Sequence, residues 1–169
     1  MVQSLRVSDQ VQSGMDNSLT DEQYLELARR AANSQSDDPK AKWDSRARVG
    51  SVLVDRLGNV FSSANEVPQS VKGLLKIEDA NSPERYHFIE HAERAVIYKA
   101  SLAGAHLSGA TIYCTRFPCS DCARTIVAFG IKRLVVGDGF DNDGRWIESQ
   151  RAARSLLMAA GVRIRYLPN

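Results

Sequence analysis

Apolar positions along the chain switch between helical and strand spacing, and the switches mark out the elements. Through Thr20–Asn33, Tyr24, Leu25, Leu27, Ala28, Ala31 and Ala32 recur at helical intervals. Thr20 with Gln23 three residues on makes a capping-box pattern, so an amphipathic, core-packed first helix is expected. Residues 35–47 mix polar residues with a proline and read as loop. Val49–Asp55 is short, apolar and β-branched, which predicts a buried strand. Leu57-Gly58-Asn59 supplies turn chemistry, and Val60–Asn65 returns as its antiparallel partner. A long connection, Glu66–Phe88, has no firm period and contains Pro68 and Pro83. Such connections are often functional loops, and this one is expected to border the active site.

Good helix formers fill Ile89–Ala103, with an apolar face of Ala92, Ala95, Val96 and the stem of Lys99; Gly104 can end the helix. Ala110–Thr115 reads as a strand. Pro118 opens a helix over Cys119–Phe129, terminated by Gly130. Lys132–Gly137 is a further strand, followed by a Gly/Asp-rich loop from Asp138 to Arg145. Ile147–Ala160 is a helix ended by Gly161, and Val162–Tyr166 is the last strand. Strands alternating with helices imply parallel neighbours joined by right-handed crossovers. The fold class expected is α/β: a three-layer α/β/α sandwich around a five-stranded mixed sheet. Residues 1–18 lack a clear period and read as a flexible arm; residues 19–169 read as one domain.

Composition narrows the classes. The length, 169 residues, suits one domain with a substantial core. A net charge of +2 is too small to argue for a polyanionic partner, so nucleic acid is not expected. No apolar run approaches the roughly 20 residues that a membrane span needs. Residues 1–18 contain no apolar stretch of the secretory kind. The three cysteines are an odd number, and two sit in a Cys-x-x-Cys, which favours metal over disulfides and makes the cytoplasm the expected compartment.

The chemistry is concentrated in His91-Ala92-Glu93 and Pro118-Cys119-Ser120-Asp121-Cys122. One His and two Cys offer three zinc ligands, which leaves the fourth tetrahedral position for water. Glu93 stands where it could carry protons to and from that water. Near the start of a helix, Cys119 and Cys122 gain from the N-terminal partial charge, which favours thiolates. Either half alone is a weak signal, since Cys-x-x-Cys also serves redox and structural zinc sites. The two together, in this order and with Pro before the first Cys, are the H-x-E…P-C-x-x-C pattern of the zinc deaminases that act on amino-heterocycles. A structural zinc site would want a fourth protein ligand, for which only Cys114, His87 and His106 remain. Redox use would need neither His91 nor Glu93.

At these residues the chain resembles the cytidine and deoxycytidylate deaminase superfamily, and within it most resembles the deoxycytidylate (dCMP) deaminases. The resemblance is carried by Phe117-Pro118-Cys119, by Val49–Asp55, by Arg85-Tyr86-His87-Phe88-Ile89, and by Ile126–Val136 and Leu156–Val162, within a span from Leu25 to Pro168. It implies a cytidine-deaminase-like fold, with His91, Cys119 and Cys122 as zinc ligands and Glu93 as the catalytic proton shuttle. It also implies hydrolytic deamination of a cytosine nucleotide with release of ammonia, and a homo-oligomer with active sites near subunit contacts. Asn65 stands at the position that in the family touches the nucleotide.

Three departures are visible. Ala95 replaces a usual Asn, Glu66 a usual Gly, and Glu90 a frequent Cys. Carboxylates gained near the ligand would disfavour a phosphate by like-charge repulsion. Another free base, nucleoside or modified amino-heterocycle therefore stays open as substrate, as do a polynucleotide and a non-catalytic zinc role. Arg116 could bind a substrate's phosphate or carboxylate as a bidentate donor, with a surface ion pair as the alternative; Phe140, with Arg145 and Trp146 on the loop after the fourth strand, could contact the substrate or pack on a neighbouring subunit. Phe88 and Tyr86 are other aromatics that could stack on a heterocycle, and Ala92 and Phe117 lie within the two motifs.

Overall fold

The computed structural model describes residues 19–42, 44–72, 86–139 and 144–167; the expected arm over residues 1–18 lies outside them. Strands Gly50–Val54 (β1), Val60–Ala64 (β2), Thr111–Arg116 (β3), Arg133–Asp138 (β4) and Arg163–Tyr166 (β5) form one sheet in the order β2-β1-β3-β4-β5. β1 runs antiparallel to β2 and β3, while β3, β4 and β5 are mutually parallel. Four α-helices lie among the described residues: Asp21–Gln35 (α1), Ala92–Leu102 (α2), Ser120–Ala128 (α3) and Ile147–Ala159 (α4).

The period of two along the strands builds both faces of this sheet. Leu53, Ile112 and Leu134 stand in register on one face and pack with Val96 and Ile97 of α2, Ile126 of α3 and Leu157 of α4. Their neighbours Val52, Tyr113 and Val135 point the other way, onto Tyr24 and Ala28 of α1. One helix covers one face and three cover the other, which gives the three layers expected. Gly50 lets α1 come this close: a Cβ there would lie 2.0 Å from the Ala28 carbonyl oxygen.

The capping box at Thr20 forms as expected, with Gln23 N–H donating to Thr20 Oγ1 at 3.3 Å and Thr20 N–H to Gln23 Oε1 at 2.8 Å. Asp21 in the next position bolts α1 to three strands. It accepts from Tyr113 Oη (3.0 Å) and Arg133 Nη1 (2.8 Å), and it pairs with Arg165. The hydrogen-bonded Arg133 guanidinium holds its carboxyl down at about 2, against an ordinary 3.8. A folded pKa below the unfolded one stabilises the fold above the unfolded value, and the benefit is lost as pH falls through the folded value. Asp21→Asn is accordingly expected to cost about 2 kcal/mol at pH 7. It should also flatten the decline in stability from about pH 4 to about pH 2, read by urea unfolding across that range.

Two helix starts, one helix face and one loop differ from expectation. α2 starts at Ala92 rather than Ile89, because Glu90 is held extended: its N–H and C=O pair with Glu66 at 2.8 and 3.1 Å. The inward face of α2 runs through Ile97 and Ala100, while Lys99 is exposed and reaches back to the Ser62 carbonyl. α3 starts at Ser120, with Cys119 as its extended N-cap. The stretch expected as loop holds two 3-10 turns, Pro39–Lys42 and Ser45–Ala47.

Candidate active site

Two helix starts converge where β3 and the Glu66–Glu90 bridge end. His91 is the N-cap of α2, yet its side chain makes no capping bond and turns toward α3. Its Nδ1 lies 3.5 Å from both Cys119 Sγ and Cys122 Sγ, and the two sulfurs are 3.6 Å apart. Around one tetrahedral ion, bonds of roughly 2.3 Å to sulfur and 2.1 Å to nitrogen place donors about 3.5–3.8 Å apart. The three atoms thus already have the spacing of a shared metal, and no other group of three such donors forms among the described residues.

The electrostatics fit deprotonated ligands. The proton that Cys119 shares with Cys122, together with the adjacent His91 ring, holds the Cys119 thiol down at about 4. That same sharing, and burial, push the Cys122 thiol up. Burial opposes charge on His91, but the Cys119 sulfur and the Glu93 carboxylate outweigh it and raise its pKa. Glu93, in the first turn of α2, is 3% exposed, and burial raises its carboxyl. A carboxyl that holds a proton more readily than usual, beside a metal site, suits proton transfer in both directions.

Two hydrogen-bonded contacts fix the cysteine turn from α4. Ser149 Oγ accepts from the Ser120 N–H at 2.9 Å, and Gln150 Nε2 donates to the Phe117 carbonyl at 3.0 Å. Gln150, 4% exposed, shares the inward stripe of α4 with Ala153 and Leu157. A single amide in an otherwise apolar stripe was its sequence signal, and the sequence reading missed it.

A cavity opens over His91, Ala92, Glu93 and Cys119. Of the expected contacts, Asn65, Ala92, Arg116 and Phe117 line it. The Asn65 amide also ties the cavity wall together: Oδ1 accepts from Ser36 Oγ (2.8 Å) and Val49 N–H (3.0 Å), and Nδ2 donates to the Ala47 carbonyl (2.8 Å). Phe117 is a core residue as well, stacked on Tyr166 at 6.1 Å. Phe88 is half-buried and does not line the cavity; Tyr86 and Ile89, its near neighbours, do. Phe140 lies outside the described residues.

The charge balance departs from expectation. Glu66 accepts from Ser63 Oγ at 2.7 Å, Glu90 pairs with Arg94, and neither carboxylate lines the cavity. Ala95 is buried outside it too. The 3-10 turns instead bring in Lys40, Asp44 and Arg46, and the lead-in to α4 brings in Arg145 and Trp146. Lys40, Asp44 and Arg46 were not singled out from the sequence, because a polar stretch without a period says nothing about which way its side chains face.

The family model for the cytidine and deoxycytidylate deaminase zinc-binding region matches residues 18–138. Mouse deoxycytidylate deaminase is 35% identical over 128 residues, covering 72% of this chain and 68% of that protein. The deoxycytidylate deaminase of Enterobacteria phage T2 is 42% identical over 64 residues, 37% of this chain; the match spans about a third, 34%, of the phage protein. Among solved structures, the dCMP deaminase of cyanophage S-TIM5 in complex with dCMP and dUMP superposes with a TM-score of 0.65 at 22% identity, over 86% of this chain and 95% of that one, a likeness of fold. By sequence match and by fold, the chain belongs to the cytidine and deoxycytidylate deaminase family.

Proposed function

We propose that this protein is a zinc-dependent hydrolytic deaminase of a cytosine nucleotide, turning a dCMP-type substrate into a dUMP-type product and ammonia. The observation that carries the reading is the three-donor group with the buried Glu93 beside it, both facing one cavity. The donor set suits zinc: two thiolates and an imidazole match its preference for sulfur and nitrogen. His91, Cys119 and Cys122 would hold the ion, and three protein ligands are the number a catalytic site uses. Zinc bound there supplies Lewis acidity that makes hydroxide available near neutral pH.

The chain's own residues do the rest. Glu93 accepts a proton from the attacking water and passes it to the ring nitrogen as the new C–O bond forms. It then moves the second water proton to the amino group, the C–N bond breaks, and ammonia leaves. Phe117 and Val49 wall the cavity with apolar surface that keeps bulk water away from these transfers. Lys40, Arg46, Arg116 and Arg145 outnumber Asp38, Asp44 and Glu93 around it, a balance that favours an anionic ligand. The like-charge objection raised by Glu66 and Glu90 loses its ground, since both lie outside the cavity.

The proposal extends to the family's assembly and compartment. Leu102 and Met158, 90% and 60% exposed, are apolar surface that a homo-oligomer would cover, and cysteines committed to metal suit the reducing cytoplasm. No helix among the described residues is long and apolar enough to cross a membrane.

The test is ammonia release by zinc-loaded protein from dCMP, CMP, deoxycytidine, cytidine, cytosine, adenine, guanine and modified pyrimidine nucleotides. dCMP is expected to give the highest kcat/KM. Preference for another compound would reassign the substrate and leave the reaction type standing.

A further inference from the structure

The four cations around the cavity are not equivalent. Lys40 and Arg46 share Asp44, at 3.2 and 3.3 Å, and Arg116 donates to the Arg46 carbonyl at 2.9 Å. Arg145 is exposed, and no carboxylate among the described residues pairs with it. Two aromatic faces hold it instead. Its guanidinium carbon lies 4.5 Å from the Tyr86 ring centroid and 5.5 Å from that of Trp146. The two rings meet edge to face at 6.2 Å, and Trp146 meets the His91 ring edge to face at 5.8 Å.

This arrangement has a chemical consequence. The two ring planes stand 76° apart, so the guanidinium can lie flat on only one of them, and the in-plane N–H donors on its edge away from the other ring are left for an acceptor. A clamp on both rings also removes the rotamer freedom that a long side chain loses on binding, so less is lost when the acceptor arrives. Arg145 sits one indole ring away from His91, and in a nucleotide a pentose separates the base from its phosphate.

We propose that Arg145, clamped by Tyr86 and Trp146, is the specificity-determining residue that binds the substrate's phosphate and makes a nucleoside monophosphate, rather than the nucleoside, the ligand. The inference rests on the deaminase reading above and adds the group that reads phosphorylation state. Arg145 recognises the anion by charge-assisted, forked hydrogen bonds, which a point-charge lysine reproduces only in part. Trp146 ties that recognition to the metal site, because the ring that fixes Arg145 also packs on His91.

Calorimetric titration of dCMP and deoxycytidine into zinc-loaded Glu93→Ala protein, with and without Arg145→Ala, reads binding free of turnover. Losing one charge-assisted anchor should weaken dCMP about 10- to 100-fold and leave deoxycytidine unchanged. Arg145→Lys should fall between. On the Glu93 background, Arg145→Ala should raise KM for dCMP with kcat nearly unchanged. Unaltered dCMP affinity, or an equal loss for both compounds, would overturn the assignment of Arg145 while leaving the deaminase reading intact. Wild-type protein that neither binds dCMP nor deaminates either compound would overturn that reading, and this one with it.

Discussion

Glu93→Ala protein is expected to take up zinc at the wild-type stoichiometry and to release ammonia from dCMP about 10²- to 10⁴-fold more slowly. The size of the loss follows from the position of the group. Glu93 is the buried carboxylate beside the three-donor site, and the proposed mechanism routes the transfers to the ring nitrogen and to the leaving amine both through it. The Glu93 side chain supplies none of the three metal-donor atoms, so the metal should stay. Stability should hold or rise, because a carboxyl buried to 3% exposure is retained at a cost to the fold. Metal analysis, a coupled ammonia assay and a thermal melt on one preparation separate the three quantities. A mutant that kept wild-type turnover would remove Glu93 from the chemistry.

Cys119→Ser should lose the metal and the activity together. Serine is a good N-cap, so α3 can still start at Ser120 and the fold is kept. What the substitution removes is the thiolate, whose pKa of about 4 marks it as the most readily ionised sulfur of the pair. With one of three protein donors gone, zinc affinity should fall by well over the roughly 100-fold that loss of an outer partner costs. Zinc retained per chain after dialysis against a competing chelator measures this. A folded Cys119→Ser protein with full zinc would overturn the ligand set.

The layers and the donor atoms were legible in the sequence because both depend on short-range regularity. Short apolar strands alternating with helices told the layers, though not that Leu53 and Val52 face different helices, and the His-x-Glu and Pro-Cys-x-x-Cys motifs taken together picked out His91, Cys119 and Cys122. Helix starts were harder. Ile89 and Glu90 have helical propensity, but the Glu66 bridge holds Glu90 extended, a long-range pairing with no local trace. The cavity rim was hardest. Asp44 and Arg46 come from 3-10 turns in a polar stretch, and side-chain direction there depends on the turns rather than on residue type. Glu66 and Glu90 show the converse: carboxylates next in sequence to Asn65 and to His91 were expected near the ligand, yet Ser63 and Arg94 hold them away from the cavity. Proximity in sequence to a catalytic motif is a weak guide to what a substrate meets.

Steady-state ammonia release from dCMP by zinc-loaded wild-type protein, with Glu93→Ala as the blank, tests the central claim most directly. Catalytic turnover that disappears in the mutant, while both proteins carry equal zinc, is the predicted result. Wild-type protein that is folded and zinc-loaded but inert on dCMP and on every other amino-heterocycle in the panel would contradict it.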